Sequence, residues 1–311
     1  MRLMVIRGPI SFETMANEVD SNHFSIISAG KLALNAIDYP KQGRIAALFE
    51  RSFYIEVNGN WFCFGASSLP LGPLNLQTNV PANINWQASG LQLKDQVKIS
   101  ASHIHVANRL AFSYRGAELW QPDPIPDLDK KTTIAAGLAS LTQQAFNIAP
   151  NEGLAAFLFP DGSLKTVLPS AAPAITEMTK FIRSRHPNAK SILEPVASLI
   201  GLGPGLTPSG DDFLGGMMIT LSLLGENEKL RVLASTIVTA ASVTNDISRA
   251  HLKAAAQGIG AEPLHATISD IVTNRDQALK ASLERLDAIG HCSGWDALTG
   301  VAITLRAWLE K

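Results

Sequence analysis

Short runs of alternating apolar and polar residues dominate the first 120 positions. Residues 24–28, 51–57 and 61–64 read as strands, and Asn58-Gly59-Asn60 between the last two is a strong hairpin signal. Residues 97–101, 103–106 and 109–114 continue the pattern, with turn residues such as Gly72-Pro73 between pieces. The period-2 texture predicts an antiparallel β-rich domain of small-barrel type. It ends at Gln121-Pro122-Asp123-Pro124-Ile125-Pro126-Asp127, where three prolines in five positions forbid helix and favour an extended connector.

Beyond the connector the apolar spacing becomes helical. Helices are predicted over 133–147, 175–185, 192–200, 211–224, 229–243 and 248–257. A stretch over 264–286 is expected to break in two, and 295–309 closes the chain. A hairpin is expected around Pro160-Asp161-Gly162. The predicted class is α+β: a β-rich domain over 1–121, a Pro-rich linker over 122–131 and a mainly α-helical domain over 132–311.

Within the helical half, two segments repeat each other. Ser209-Gly210-Asp211-Asp212-Phe213-Leu214-Gly215-Gly216 returns as Ser293-Gly294-Trp295-Asp296-Ala297-Leu298-Thr299-Gly300. Ile219-Thr220-Leu221 returns as Ile303-Thr304-Leu305, and Glu226 as Glu310, so nine of eighteen positions recur in register. Amphipathic periodicity accounts for the Leu and Ile matches but does not require Ser-Gly-x-Asp with Gly four residues later. Each copy fits a capping box, Ser209 with Asp212 and Ser293 with Asp296. For the first helix an alternative start has Thr207 as N-cap and Pro208 at the first helical position.

Capping leaves the approach to the first copy unexplained. Gly201-Leu202-Gly203-Pro204-Gly205-Leu206-Thr207-Pro208-Ser209-Gly210 holds four glycines and two prolines in ten residues. Glycines permit positive φ and close backbone approach, and prolines fix φ. Such a loop opening a helix suits a phosphate or carboxylate, held by free N–H groups. Gly203, Gly205, Thr207, Ser209 and Gly210 are the expected anion-binding positions, joined by Ser293 and Gly294 at the second helix. Neither a Walker loop nor a dinucleotide fingerprint is present. Asp211 and Asp212 oppose an anion, because unit charges about 4 Å apart interact by about 4 kcal/mol at a dielectric of 20. A helix terminus returns only about 0.3–1 kcal/mol. Either these carboxylates turn away, or magnesium or a basic side chain bridges; no other cofactor is required.

Other residues enter as supports. Arg249, in Thr244-Asn245-Asp246-Ile247-Ser248-Arg249, is a candidate bidentate anion contact. His291 is a candidate proton donor or substrate ligand, with Asp212 and Asp296 as candidate catalytic carboxyls. A nucleophilic Cys292 is the weaker alternative, since a helix N-terminus lowers a thiol pKa. His103 and His105 share one strand face, but no third metal ligand is spaced nearby in sequence.

Composition narrows the class. The chain of 311 residues is 46% hydrophobic and 17% charged, with 26 basic against 27 acidic residues. That balance gives no drive toward duplex nucleic acid. Cys63 and Cys292 are the only cysteines, too few for a disulfide framework, so a reducing cytoplasmic setting is expected. The opening Met-Arg-Leu-Met-Val-Ile-Arg-Gly is too short in apolar residues for a signal peptide, and no run of about 20 apolar residues follows.

Gly203-Pro204-Gly205-Leu206-Thr207-Pro208-Ser209-Gly210-Asp211-Asp212 followed by Gly290-His291-Cys292-Ser293-Gly294-Trp295-Asp296 resembles a bacterial family once loosely labelled a putative carboxylase. The family is associated with one subunit type of the oxamate carbamoyltransferase of allantoin degradation, a branch of purine catabolism. The resemblance is firm over about residues 190–311 and faint over the β-rich half. It implies transfer between oxalurate and phosphate, giving oxamate and carbamoyl phosphate, together with partner subunits; no family catalytic residues carry over. Two other readings stand beside it. In one, the chain is a non-catalytic assembly subunit, and Gly216 and Gly300 are helix-packing devices one turn after each Asp. In the other, it is a carboxylase or ligase acting on small acids, which requires nucleotide binding for which the sequence has no motif.

Overall fold

The computed structural model describes residues 23–37, 40–125, 131–163 and 168–311. The opening apolar run, Pro126 and Asp127 of the connector, and the distal side of the expected hairpin at 160–162 lie outside the described residues. The chain forms two compact units, Met1–Gln121 and Pro122–Lys311.

The first unit is a β-barrel. Its strands are β1 (His23–Gly30), β2 (Lys41–Leu48), β3 (Ser52–Val57), β4 (Asn60–Ala66), β5 (Asn75–Thr78), β6 (Gln96–Ile99), β7 (His103–Val106), β8 (Leu110–Ser113) and β9 (Glu118–Trp120). Short helix α1 (Lys31–Ala36) follows β1. The strand order is β5-β4-β3-β2-β6-β7-β8-β1-β9, and a β5–β1 pairing closes the ring. Asn58 and Gly59 both take positive φ (53° and 78°) in the β3–β4 hairpin, as its sequence predicts. The expected antiparallel sheet is corrected in part: β1 runs parallel to β8 and β9, and β4 runs parallel to β5. The physical reason is that β1 closes the ring between strands distant in sequence, while Ser67–Leu74 carries the chain over rather than back. In that segment the Pro73 carbonyl accepts from the N–H groups of Leu32 and Ala33 at 3.1 and 3.0 Å, so the Gly72-Pro73 turn anchors α1.

Aromatic packing fills the barrel. Phe53 stacks on Phe64 at 4.9 Å between centroids, Trp86 meets Phe53 edge-on at 4.8 Å, and Phe112 lies 5.1 Å from Phe64. His103 and His105 share one strand face, and β1 brings His23 to 6.3 Å from the His103 ring. Among the described residues, no group of three or more His, Cys, Asp or Glu is placed to hold a metal ion.

The second unit is helical: α2 (Lys131–Ala145), α3 (Ala172–Arg183), α4 (Ala189–Leu199), α5 (Ser209–Leu223), α6 (Asn227–Ala240), α7 (Asp246–Ala255), α8 (Glu262–Val272), α9 (Asp276–Asp287) and α10 (Ser293–Leu309). The expected break inside 264–286 falls between α8 and α9, where Asn274 takes φ of 52°. Helices α5 and α10 are buried on nearly every face, as an all-round apolar helix in a core must be. No helix among the described residues is long and apolar enough to cross a membrane.

The two central helices cross at the glycines of the sequence repeat. A Cβ on Gly216 would stand 1.9 Å from the Ala297 carbonyl oxygen, and one on Gly300 would stand 2.0 Å from that of Phe213. Phe213 and Ala297 are themselves equivalent positions of the repeat. The contact is therefore reciprocal: each helix lays its eighth position on the fifth of the other. Thr220 and Thr304, also equivalent, each donate a hydroxyl hydrogen bond to the glycine carbonyl one turn earlier, both at 2.8 Å. Backbone contact at this depth admits no side chain.

Gly216→Ala and Gly300→Ala should therefore each destabilise the fold by about 1–3 kcal/mol or more through overpacking. Gly290→Ala, where a Cβ meets nothing within 4 Å, should change stability little. Urea unfolding of the three variants checks this.

Candidate functional site

Parallel crossing brings the N-termini of α5 and α10 together. The Thr207 and Ser293 hydroxyls are 2.7 Å apart, and Ser209 Oγ lies 3.8 Å from Cys292 Sγ. The sequence-predicted residues of both motifs thus share one place, although Ser209 and Ser293 are 84 positions apart.

Neither helix is capped as the sequence suggested. The N-cap positions are Pro208 and Cys292, and neither makes a side-chain cap hydrogen bond. The acids act across the pair instead. Asp212 lies beside the hydroxyls of Ser293 and Thr207, and Asp296 beside Cys292 and Ser209. A local box reaches the same helix three residues back; here each Asp serves the first residue of the other helix.

The three acids divide into two kinds. Asp211 is buried and fully engaged: Oδ1 accepts from the Gly201 N–H at 2.7 Å, and Oδ2 accepts from the hydroxyls of Thr244 and, at 2.5 Å, Ser248. It turns away from the convergence and ties the glycine loop to α7. Asp212 and Asp296 face the convergence, and each retains a buried Oδ2 with no hydrogen-bond partner. Burial raises the Asp212 carboxyl well above the ordinary 3.8, outweighing its hydroxyl partners, and the Asp296 and Asp211 charges add to the rise. Burial likewise raises Asp296, against the Leu154 N–H that reaches Oδ1 at 2.6 Å, Cys292 and Ser209 beside it and the His291 charge.

Several expected ligands have other roles. The Gly210 N–H donates to the Leu202 carbonyl at 3.0 Å, so it is not free for an anion. Gly210 and Gly294 are close-approach positions, since a Cβ would stand 1.9 Å from the Leu199 carbonyl oxygen and 2.4 Å from that of Leu286. Gly203 and Gly205 take φ of 104° and 97°, which turns the loop back onto Ser209. A Cβ on Gly203 would press on Ser209 Oγ at 2.9 Å, while Gly205 faces open space. Arg249 has protein partners: its guanidinium donates to the carbonyls of Thr244 at 2.6 Å and Ala241 at 3.3 Å and pairs with Asp246. His291 is exposed, takes φ of 51° and pairs with Glu152 at 3.0 Å. Cys292 does not become a thiolate: burial, reinforced by Asp296, pushes its thiol up to about 12. The helix-terminus argument fails there because burial, with the neighbouring carboxyl, outweighs the dipole.

Sequence reasoning missed the Glu152-Gly153-Leu154 segment that closes over Asp296. Gly153 takes φ of 61°, and a Cβ there would strike Asp296 Oδ1 at 2.3 Å. Asn151-Glu152-Gly153 is a legible turn, but nothing in the sequence aims it at position 296.

These features define a two-unit α+β protein whose helical unit gathers hydroxyls, a buried carboxyl and a half-buried one at a pair of helix starts. Residues 199–305 match the family of the oxamate carbamoyltransferase subunit AllH, and residues 18–119 match the AllH family N-terminal domain. The chain belongs to this family, and the match includes the β-rich half where the resemblance in sequence is faint. Membership makes it a subunit of a carbamoyltransferase complex, with other subunits as partners. No solved structure matches the chain significantly.

Two outcomes test the division of the acids. Asp211→Ala leaves three donors without their acceptor and should cost about 3 kcal/mol or more in urea unfolding. Asp246→Ala removes only an exposed pair and should cost less than about 1 kcal/mol. The pH test has a definite sign. A folded-state pKa raised above about 3.9 favours folding below that pH, and the benefit is lost as pH rises through the raised value. Asp212→Asn carries no such loss, so its stability relative to wild type should improve as pH rises above about 4. A pH-independent difference would contradict the assignment.

Proposed function

We propose that the meeting point of α5 and α10 holds the anionic reactants of carbamoyl transfer between oxalurate and phosphate, giving oxamate and carbamoyl phosphate. The observation that carries this reading is the 2.7 Å approach of Thr207 and Ser293 at the two helix starts. Two helix dipoles directed at one point favour negative charge there, and hydroxyls supply adaptable donors. The electrostatic objection weakens because Asp211 is turned aside, and the other two acids have pKa values shifted toward the neutral form. Phosphate or carbamoyl phosphate would sit by Thr207 and Ser209, and the α-oxo carboxylate by Ser293. The reaction also needs stabilisation of charge at the carbamoyl carbonyl and a proton for the departing nitrogen.

The assembly-subunit reading has its own support, because Gly216 and Gly300 pack backbone on backbone and explain part of the repeat without chemistry. One experiment separates the two. In the reconstituted complex, Thr207→Val and Ser293→Ala should each weaken phosphate or oxalurate affinity about tenfold by calorimetry, corresponding to about 1.4 kcal/mol. Subunit assembly should be unaffected. Unchanged affinity with unchanged assembly would refute the placement, and lost assembly would favour the structural role.

A further inference from the structure

Asp212 and Asp296 occupy equivalent positions of the repeat and come together through the same crossing. Each lies beside the hydroxyl of the first residue of the other helix, Ser293 or Ser209. Each also keeps one oxygen buried with no partner. A buried carboxylate oxygen without a donor is costly, and two like charges in one enclosure seldom both ionise. The surrounding groups do not relieve this. Asp211 is occupied by Gly201, Thr244 and Ser248. The Cys292 thiol stays neutral, and His291 is exposed and paired with Glu152.

We propose that Asp212 and Asp296 titrate as one coupled pair, carrying a single proton in the resting state, and serve the site as a single proton-transfer unit. Its chemical use rests on the transfer reading above. As a phosphate oxygen bonds to the carbamoyl carbon, the carbon–nitrogen bond of oxalurate breaks. The pair gives its proton to the departing oxamate nitrogen and regains one from the attacking hydrogen phosphate, so no net proton or electron is needed. This places the donor at the two acids rather than at exposed His291.

The test needs no substrate. In the full-length chain with carboxyl-labelled aspartate, the two resonances are followed by NMR against pH, with Asp212→Asn and Asp296→Asn for assignment. Sharing requires that loss of either acid lower the titration of the other by about one pH unit or more. Titration unmoved by replacement of the partner would overturn the proposal. Should a variant fail to fold, the wild-type curves decide: biphasic signals mean a coupled pair, and independent single steps mean none. A coupled pair in a complex that binds neither phosphate nor oxalurate would retire the transfer reading and leave the pair standing.

Discussion

The helical unit depends on one contact, the crossing of two buried helices with backbone against backbone. Gly216 on Ala297 and Gly300 on Phe213 leave no room for even a methyl group. Close packing of this kind fixes both position and angle, since protein interiors yield little to added volume. Because the contact is reciprocal and parallel, it sets both N-termini at one end. The hydroxyls of Thr220 and Thr304 satisfy the carbonyls of the crossing glycines a second time, which suits helices with no wet face. The function proposed for the helix starts is thus a consequence of packing about two turns further along.

That geometry also resolves the electrostatic problem posed by Asp211 and Asp212. Adjacent residues on a helix point about 100° apart, so one crossing sends them to different surroundings. Asp211 meets three donors and becomes a tie between the glycine loop and α7. Asp212 meets Ser293 and another acid. The same residue type ties structure together at one position and carries a raised carboxyl pKa at the next, through neighbours alone.

Much of the architecture was legible. The 3.6-residue period located every long helix of the second unit, and Asn58-Gly59 specified its hairpin through positive φ. Strand β2 was missed because Gln42-Gly43-Arg44 interrupts its alternation. Gly43 is there because a Cβ would stand 2.3 Å from the Glu56 carbonyl oxygen on β3. Strands β5 and β9 are four and three residues long, too short for a periodic signal. The antiparallel expectation failed where β1 lies beside β8 and β9 and where β4 lies beside β5, pairings with no local signature.

For the site, the sequence alone determined that positions 209–216 and 293–300 are one pattern used twice, and that a glycine-rich loop precedes the first. Repetition and composition are local properties, and both can be read along the chain. What Ser-Gly-x-Asp is for was decided only in three dimensions. A capping box and a cross-helix carboxyl demand the same residues at the same spacing, because both place an acid near a helix start. Only the crossing determines which helix start it is, and here each acid was given to its partner's helix.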